Sequence, residues 1–179
     1  MSAIDIFTDG SGASHKRPGV GGWAFVAFDR PNAVLYRDCG ECSGDGLKAE
    51  IAAVAQAVGW FVEFSPAVHA TVWCDNELVV DFLHGKEFGT DPKWSRLRAA
   101  SAENVSFSRL IKRGLRGDAK LLSKMCHKMA NQARKGASVE YLKIPWPFYK
   151  AIRQQRAEAR KQWAASLPNY ILHMHGDNA

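Results

Sequence analysis

The sequence predicts an α/β fold: a mixed five-stranded sheet flanked by helices, with an extra basic helix near the C-terminal end. Three observations predict it. Short β-rich apolar runs separated by turn signals fill the N-terminal part of the chain. An apolar stripe at helical spacing then leads into a further β-rich run, the pattern of a crossover helix that joins parallel strands. Finally, 179 residues with 46% hydrophobic and 23% charged side chains are enough for one core, since a chain of this size buries roughly 70% of its unfolded surface.

The elements follow in order. Ala3–Thr8 carries Ile4, Ile6 and Phe7 and runs into the turn signal Asp9-Gly10-Ser11-Gly12. Residues 12–22 read as loop, with His15-Lys16-Arg17 followed by Pro18-Gly19. Trp23–Phe28 is a β-rich apolar run, and Asp29-Arg30-Pro31-Asn32 turns it into Val34–Arg37, the pattern of an antiparallel hairpin. Leu47, Ile51, Val54, Val58, Phe61 and Val62 share one helical face over residues 48–63, and Ser65-Pro66 ends it. Ala70–Cys74 is a strand that meets Asp75-Asn76-Glu77 and a short helix at Leu78–Leu83. Pro92–Ser101 reads as helix and Val105–Ile111 as strand. Asp118–Lys135 is a helix with Asp118 as candidate N-cap, Leu122, Met125, Cys126 and Met129 inward, and Gly136 as its stop. After Pro145-Trp146-Pro147, the Ala-, Gln- and Arg-rich segment Phe148–Ala165 is expected to form the added helix, so the division runs 1–138 for the main domain and 139–179 for the extension.

Composition excludes several classes. No stretch approaches the ~18 consecutive apolar residues of a membrane span. The N-terminal residues lack a basic region, and four cysteines are too few for a disulfide scaffold, so a reducing, cytoplasmic setting is expected. The net charge of +6 is unevenly spread: residues 109–163 hold 15 Lys/Arg against Asp118, Glu140 and Glu158, while the rest of the chain is net acidic. A basic segment joined to an acidic one suits a phosphate-rich partner held near carboxylates, although a solvated helix surface has the same composition.

The acids that matter are Asp9, Glu50 and Asp75. Asp9 closes the first strand, Glu50 is expected in the first turn of the main helix, and Asp75 closes the fourth strand. If those two strands are adjacent and parallel, Asp9 and Asp75 project from neighbouring strand ends. Carboxylates so placed repel each other unless a cation holds them. Such oxygen-rich sites suit Mg²⁺ or Mn²⁺. Each acid also has an ordinary alternative: turn residue for Asp9, first-turn helix acid for Glu50, helix N-cap for Asp75.

Ile4-Asp5-Ile6-Phe7-Thr8-Asp9-Gly10-Ser11 with Gly19-Val20-Gly21-Gly22-Trp23-Ala24 resembles the opening of the type 1 ribonucleases H. Ala49-Glu50-Ile51-Ala52-Ala53-Val54 resembles their second motif, Val72-Trp73-Cys74-Asp75-Asn76 their third, and Met125-Cys126-His127-Lys128-Met129-Ala130 their last, where the family usually has aspartate in place of His127. The resemblance spans about residues 3–135. It implies a ribonuclease-H-like fold and an endonuclease that uses two Mg²⁺ or Mn²⁺ ions to cleave a nucleic-acid phosphodiester, above all in the RNA strand of an RNA–DNA hybrid, with DNA cleavage or binding without turnover as alternatives. It makes Asp9, Glu50 and Asp75 the metal carboxylates, with His127 either a fourth ligand better suited to Mn²⁺ or a solvent-facing residue beside Ser123, Lys124, Asn131 and Arg134 on the polar face of its helix. It departs from the family at Ser43–Leu47, where the asparagines that contact the hybrid's minor groove are missing, and at Ile111–Gly117, where a loop histidine is expected.

Candidate nucleic-acid contacts are Lys16, Arg17, Lys112, Arg113 and Arg116, with Arg153, Arg156 and Arg160 in the added helix. Among the tryptophans, Trp23, Trp60 and Trp73 sit in core-like patterns, whereas Trp94, Trp146 and Trp163 lie nearer basic residues, where stacking on bases and helix packing explain them equally well. Cys39 and Cys42 have the spacing of half a zinc site, but residues three apart on a strand point to opposite faces, so free thiols are expected.

Overall fold

A computed structural model describes residues 3–29, 34–64, 69–86, 94–95, 97 and 104–136. Its strands are β1 (Ala3–Ser11), β2 (Val20–Asp29), β3 (Val34–Ser43), β4 (His69–Cys74) and β5 (Val105–Arg109). Its helices are α1 (Gly46–Phe64), α2 (Glu77–Leu83) and α3 (Gly117–Ala133). The five strands form one sheet in the order β3-β2-β1-β4-β5. β1, β2 and β3 pair antiparallel, while β4 is parallel to β1 and β5 parallel to β4. The expected mixed sheet and crossover are therefore present. The expected C-terminal helix lies outside the described residues, as does most of Pro92–Ser101.

Strand alternation divides the core between the two sheet faces. Ile4, Ile6, Phe25, Ala27, Val72 and Cys74 pack with Ile51, Val54, Val58 and Phe61 of α1 and Val79 and Val80 of α2. Phe7, Ala24, Val26 and Phe28 pack on the other face with Leu122, Met125, Cys126 and Met129 of α3. Trp73 stacks on Phe7 with 6.4 Å between ring centroids, and its indole donates to Asp5 Oδ1 at 2.9 Å. Trp94 is buried at 3% exposure and stacks on Phe82. It is a core residue, so of the two readings open to it packing holds and base stacking does not.

Two glycines set how closely the helices approach. A Cβ on Gly10 would fall inside contact distance of the backbone at Ala49 and Glu50. One on Gly22 would collide with the α3 backbone at Ala130 and Arg134. Only hydrogen at these positions lets α1 and α3 close onto opposite faces beside the C-terminal end of β1.

Helix ends differ from expectation in two places. Asn76, not Asp75, caps α2: its Oδ1 accepts from the amides of Leu78 at 3.1 Å and Val79 at 3.3 Å. Asp118 is not the cap of α3. That position falls to Arg116, whose side chain makes no capping bond, and Asp118 sits in the first turn, where its charge favours the helix dipole. Among the described residues no helix is long and apolar enough to cross a membrane.

Candidate metal centre

β1 and β4 pair in register up to Phe7 opposite Trp73. Two residues further along each strand's path stand Asp9 and Asp75, so parallel pairing alone brings these acids level. Glu50 reaches the same place from the sheet-facing side of α1. It is the fifth residue of that helix, outside the first turn, and is only 8% exposed, so the helix dipole does not account for it. With Asn76 capping α2, Asp75 is likewise free of the structural role open to it. One carboxylate oxygen each from Glu50 and Asp75 lie with Cys74 Sγ within 4.8 Å of one another.

Lys112 joins Asp9 to this group. Its Nζ lies 3.1 Å from Asp9 Oδ1 and also pairs with Asp75 Oδ2. The other oxygen of Asp9 is 3.0 Å from His127 Nδ1. Asp75 Oδ1 is buried with no hydrogen-bond partner. A buried carboxylate oxygen left unpaired beside two further acids is an incomplete coordination shell, and the oxygen donors suit a hard divalent cation.

The electrostatics agree. Burial, reinforced by the Asp75 and Asp9 carboxylates, pushes Glu50 up to about 9. Burial also raises Asp9, against the pull of Lys112 and His127. For Lys112, burial acts downward, but hydrogen bonds and charge from Asp75 and Asp9 outweigh it and hold the ammonium above the usual lysine value. Burial and the Glu50 carboxylate push the Cys74 thiol up to about 12. Cys74 therefore stands behind Glu50 as a neutral thiol, with its Sγ 4.0 Å from Glu50 Oε2, and the donors are the carboxylates.

His127 is held from both sides. Asn131, one turn later on α3, places Nδ2 3.0 Å from His127 Nε2 and 3.0 Å from the His127 carbonyl oxygen. Ser11 Oγ donates to Asn131 Oδ1 at 3.1 Å, which ties the imidazole's support back to β1. Beneath it, the buried Cys126 thiol donates to the carbonyls of Phe7 at 3.3 Å and Ala24 at 3.2 Å. His127 is thus a half-exposed side chain locked against Asp9.

The other expected contacts are dispersed. Arg17 is tied down: Nη1 donates to Glu41 Oε1 at 2.7 Å and to the Arg134 carbonyl at 2.9 Å. Lys16, Arg113 and Arg116 are exposed. Arg153, Arg156 and Arg160 lie outside the described residues. All four cysteines are free, as expected. Sequence reasoning missed Lys112 as a neighbour of the acids and Ser11 and Asn131 as supports of His127. Only the spacing of four residues between His127 and Asn131, which puts both on one helix face, was a usable signal.

No protein-family model matches this sequence and no curated protein matches it; the likeness is one of structure. The N-terminal RNase H domain of a Mycobacterium tuberculosis protein superposes with a TM-score of 0.61 at 17% identity, over 76% of this chain and 96% of that one. RNase H1 of the halophilic archaeon Halobacterium salinarum gives 0.59 at 20% identity, over 75% and 99%. A compost-metagenome enzyme, LC11-RNase H1, solved in complex with an RNA/DNA hybrid, gives 0.58 at 19% identity, over 74% and 97%. The chain has the ribonuclease H fold. That is the fold expected from the sequence motifs, reached here by an independent route.

Proposed function

We propose that this protein is a metal-dependent endonuclease that hydrolyses the RNA strand of RNA–DNA hybrids. The observation that carries the proposal is the convergence of Glu50 from α1 and Asp75 from the end of β4, with Asp9 of β1 joined to Asp75 through Lys112, around an unpaired buried oxygen of Asp75. Solved neighbours of the same fold include RNases H and a foamy-virus protease-reverse transcriptase, and one of each kind is bound to an RNA/DNA hybrid.

Asp9, Glu50 and Asp75 would hold Mg²⁺ or Mn²⁺, with His127 beside Asp9. Two such ions stabilise the attacking and departing oxygens of a phosphodiester. The chain's own residues supply the rest. Asp9 is oriented by bonds to both of its oxygens, from Lys112 and His127. Gly10 donates its amide to the Glu50 carboxylate, so the helix acid is aimed by the strand that carries Asp9. In the arrangement described, His127 gives its Nδ1 proton to Asp9 and accepts at Nε2 from Asn131. To bind a cation through Nδ1 it would instead carry the proton on Nε2, and Asn131 Oδ1 would accept a hydrogen bond from Nε2–H once the amide is turned. Lys16, Arg113 and Arg116 are exposed and free to meet backbone phosphates.

The test is cleavage of end-labelled RNA–DNA hybrid, duplex RNA, duplex DNA and branched DNA with Mg²⁺, Mn²⁺ or EDTA. Hybrid cleavage abolished by EDTA supports the proposal. Cleavage of branched or duplex DNA alone would move the substrate to DNA, the reading favoured by His127 and the missing asparagines at Ser43–Leu47. Asp9→Asn keeps the shape of the side chain but loses the charge, and it should abolish cleavage while leaving fold and nucleic-acid affinity intact. Undiminished turnover by Asp9→Asn at scarce metal would remove Asp9 from the site.

A further inference from the structure

Lys112 stands apart from the basic side chains that follow it in its loop and on α3. Arg113, Arg116, Lys120, Lys124 and Lys128 are exposed, and none of them forms an ion pair among the described residues. Lys112 alone turns inward from the segment after β5 and sets its ammonium on Asp9 and Asp75 together. Yet it enters the family comparison only as one basic residue in a loop that lacks the expected histidine.

We propose that Lys112 is a tethered cation that holds the strand-end carboxylates of Asp9 and Asp75 in the metal-free protein and must leave them before a divalent ion can bind. The proposal rests on the metal-centre reading above and adds a competitor internal to the chain.

Three features of the geometry support it. The two acids come from adjacent parallel strands and repel each other, and an ammonium between them offsets that repulsion. The substitute is incomplete, because Nζ takes one oxygen from each acid and leaves Asp75 Oδ1 buried and unpaired. An ion that gathers about six oxygens satisfies what three N–H donors cannot. The substitute is also removable: the Lys112 side chain is 47% exposed, and its backbone lies in a segment with positive-φ glycines at Gly114 and Gly117. Its aliphatic stem can swing outward without opening either core cluster. An ammonium and a divalent ion cannot share the same oxygens at contact distance without strong repulsion. Metal binding and the outward movement of Lys112 are therefore one event, and the freed ammonium joins Arg113 and Arg116 at the rim, where a phosphate would arrive.

The experiment is calorimetric titration of Mn²⁺ into the metal-free full chain without nucleic acid, comparing wild type with Lys112→Gln, Lys112→Met and Lys112→Arg. Lys112→Met retains the apolar stem and so repeats the test should the amide disturb folding. Removal of the competing charge should tighten Mn²⁺ binding by about tenfold or more in the Gln and Met variants. Lys112→Arg should bind close to wild type, since it keeps the charge. The neutral variants should also melt lower without metal, and gain more in Tm than wild type when Mn²⁺ is added. A merely structural lysine would weaken metal binding or leave it alone. Mn²⁺ binding in the neutral variants that is equal to or weaker than wild type, while wild type binds, overturns the role of Lys112 and leaves the metal centre standing. Absence of Mn²⁺ binding in every protein overturns both.

Discussion

Burial of the Glu50 carboxyl costs the metal-free fold stability, and Glu50→Gln measures that cost. In the folded, metal-free protein Glu50 keeps its proton up to about 9, chiefly because it is buried, whereas an unhindered glutamate releases it near 4.5. Between those values the folded state binds more protons than the unfolded one. Each rise in pH through that window therefore favours unfolding. Glutamine has the same shape, carries no charge and still offers an oxygen to the Gly10 amide. Its advantage should be near zero below pH 4.5 and grow by somewhat more than ~1 kcal/mol per pH unit, reaching about 3 kcal/mol at pH 7 as an upper value. Above about 9 the difference should level off. Asp9 and Lys112 are common to both proteins and cancel to first order. Urea unfolding in EDTA, followed by tryptophan fluorescence across this pH range, measures the difference. Saturating Mn²⁺ should reverse the order, because it stabilises the parent more than the variant. A pH-independent difference, or a glutamine variant less stable throughout, would mean that Glu50 is ionised in the metal-free fold and that its burial carries no such cost.

Other substitutions test the same construction. His127→Asp should keep cleavage and move the metal preference from Mn²⁺ toward Mg²⁺, since it exchanges a borderline ligand for a hard one; parent-like turnover by His127→Ala at every metal concentration would make His127 a surface residue. Gly10→Ala should cost at least ~2 kcal/mol in urea unfolding and depress cleavage as well, because the added methyl has to push α1, and Glu50 with it, away from β1. Parent-like stability would show that α1 can shift at no cost.

Much of this architecture is written locally. Ile4, Ile6 and Phe7 mark β1, Trp23–Phe28 marks β2, and the stripe from Leu47 to Val62 marks α1, because a strand or amphipathic helix must repeat its apolar residues at its own period. The strand-helix-strand order then makes β4 parallel to β1, and that places Asp9 beside Asp75 before any side chain is considered. The strand ends were less legible. β3 runs on to Ser43, well past the apolar residues that signal it, because its outer half is held by pairing with β2 rather than by burial.

What only the tertiary structure decided concerns groups that meet from afar. Asn76 rather than Asp75 caps α2, a choice between adjacent residues that depends on which side chain the sheet end leaves room to turn. Trp94 goes into the core because Phe82 offers it a stacking partner. Cys74 and Glu50 face each other across the β4–α1 contact, and burial there keeps the thiol protonated. Lys112, 103 residues from Asp9 in sequence, comes to lie on the acids because the parallel strands β1, β4 and β5 all finish at the same end of the sheet. No local pattern encodes that approach. Periodicity reports which face of an element is apolar, whereas the partner of a charge depends on where the sheet brings distant strand ends together.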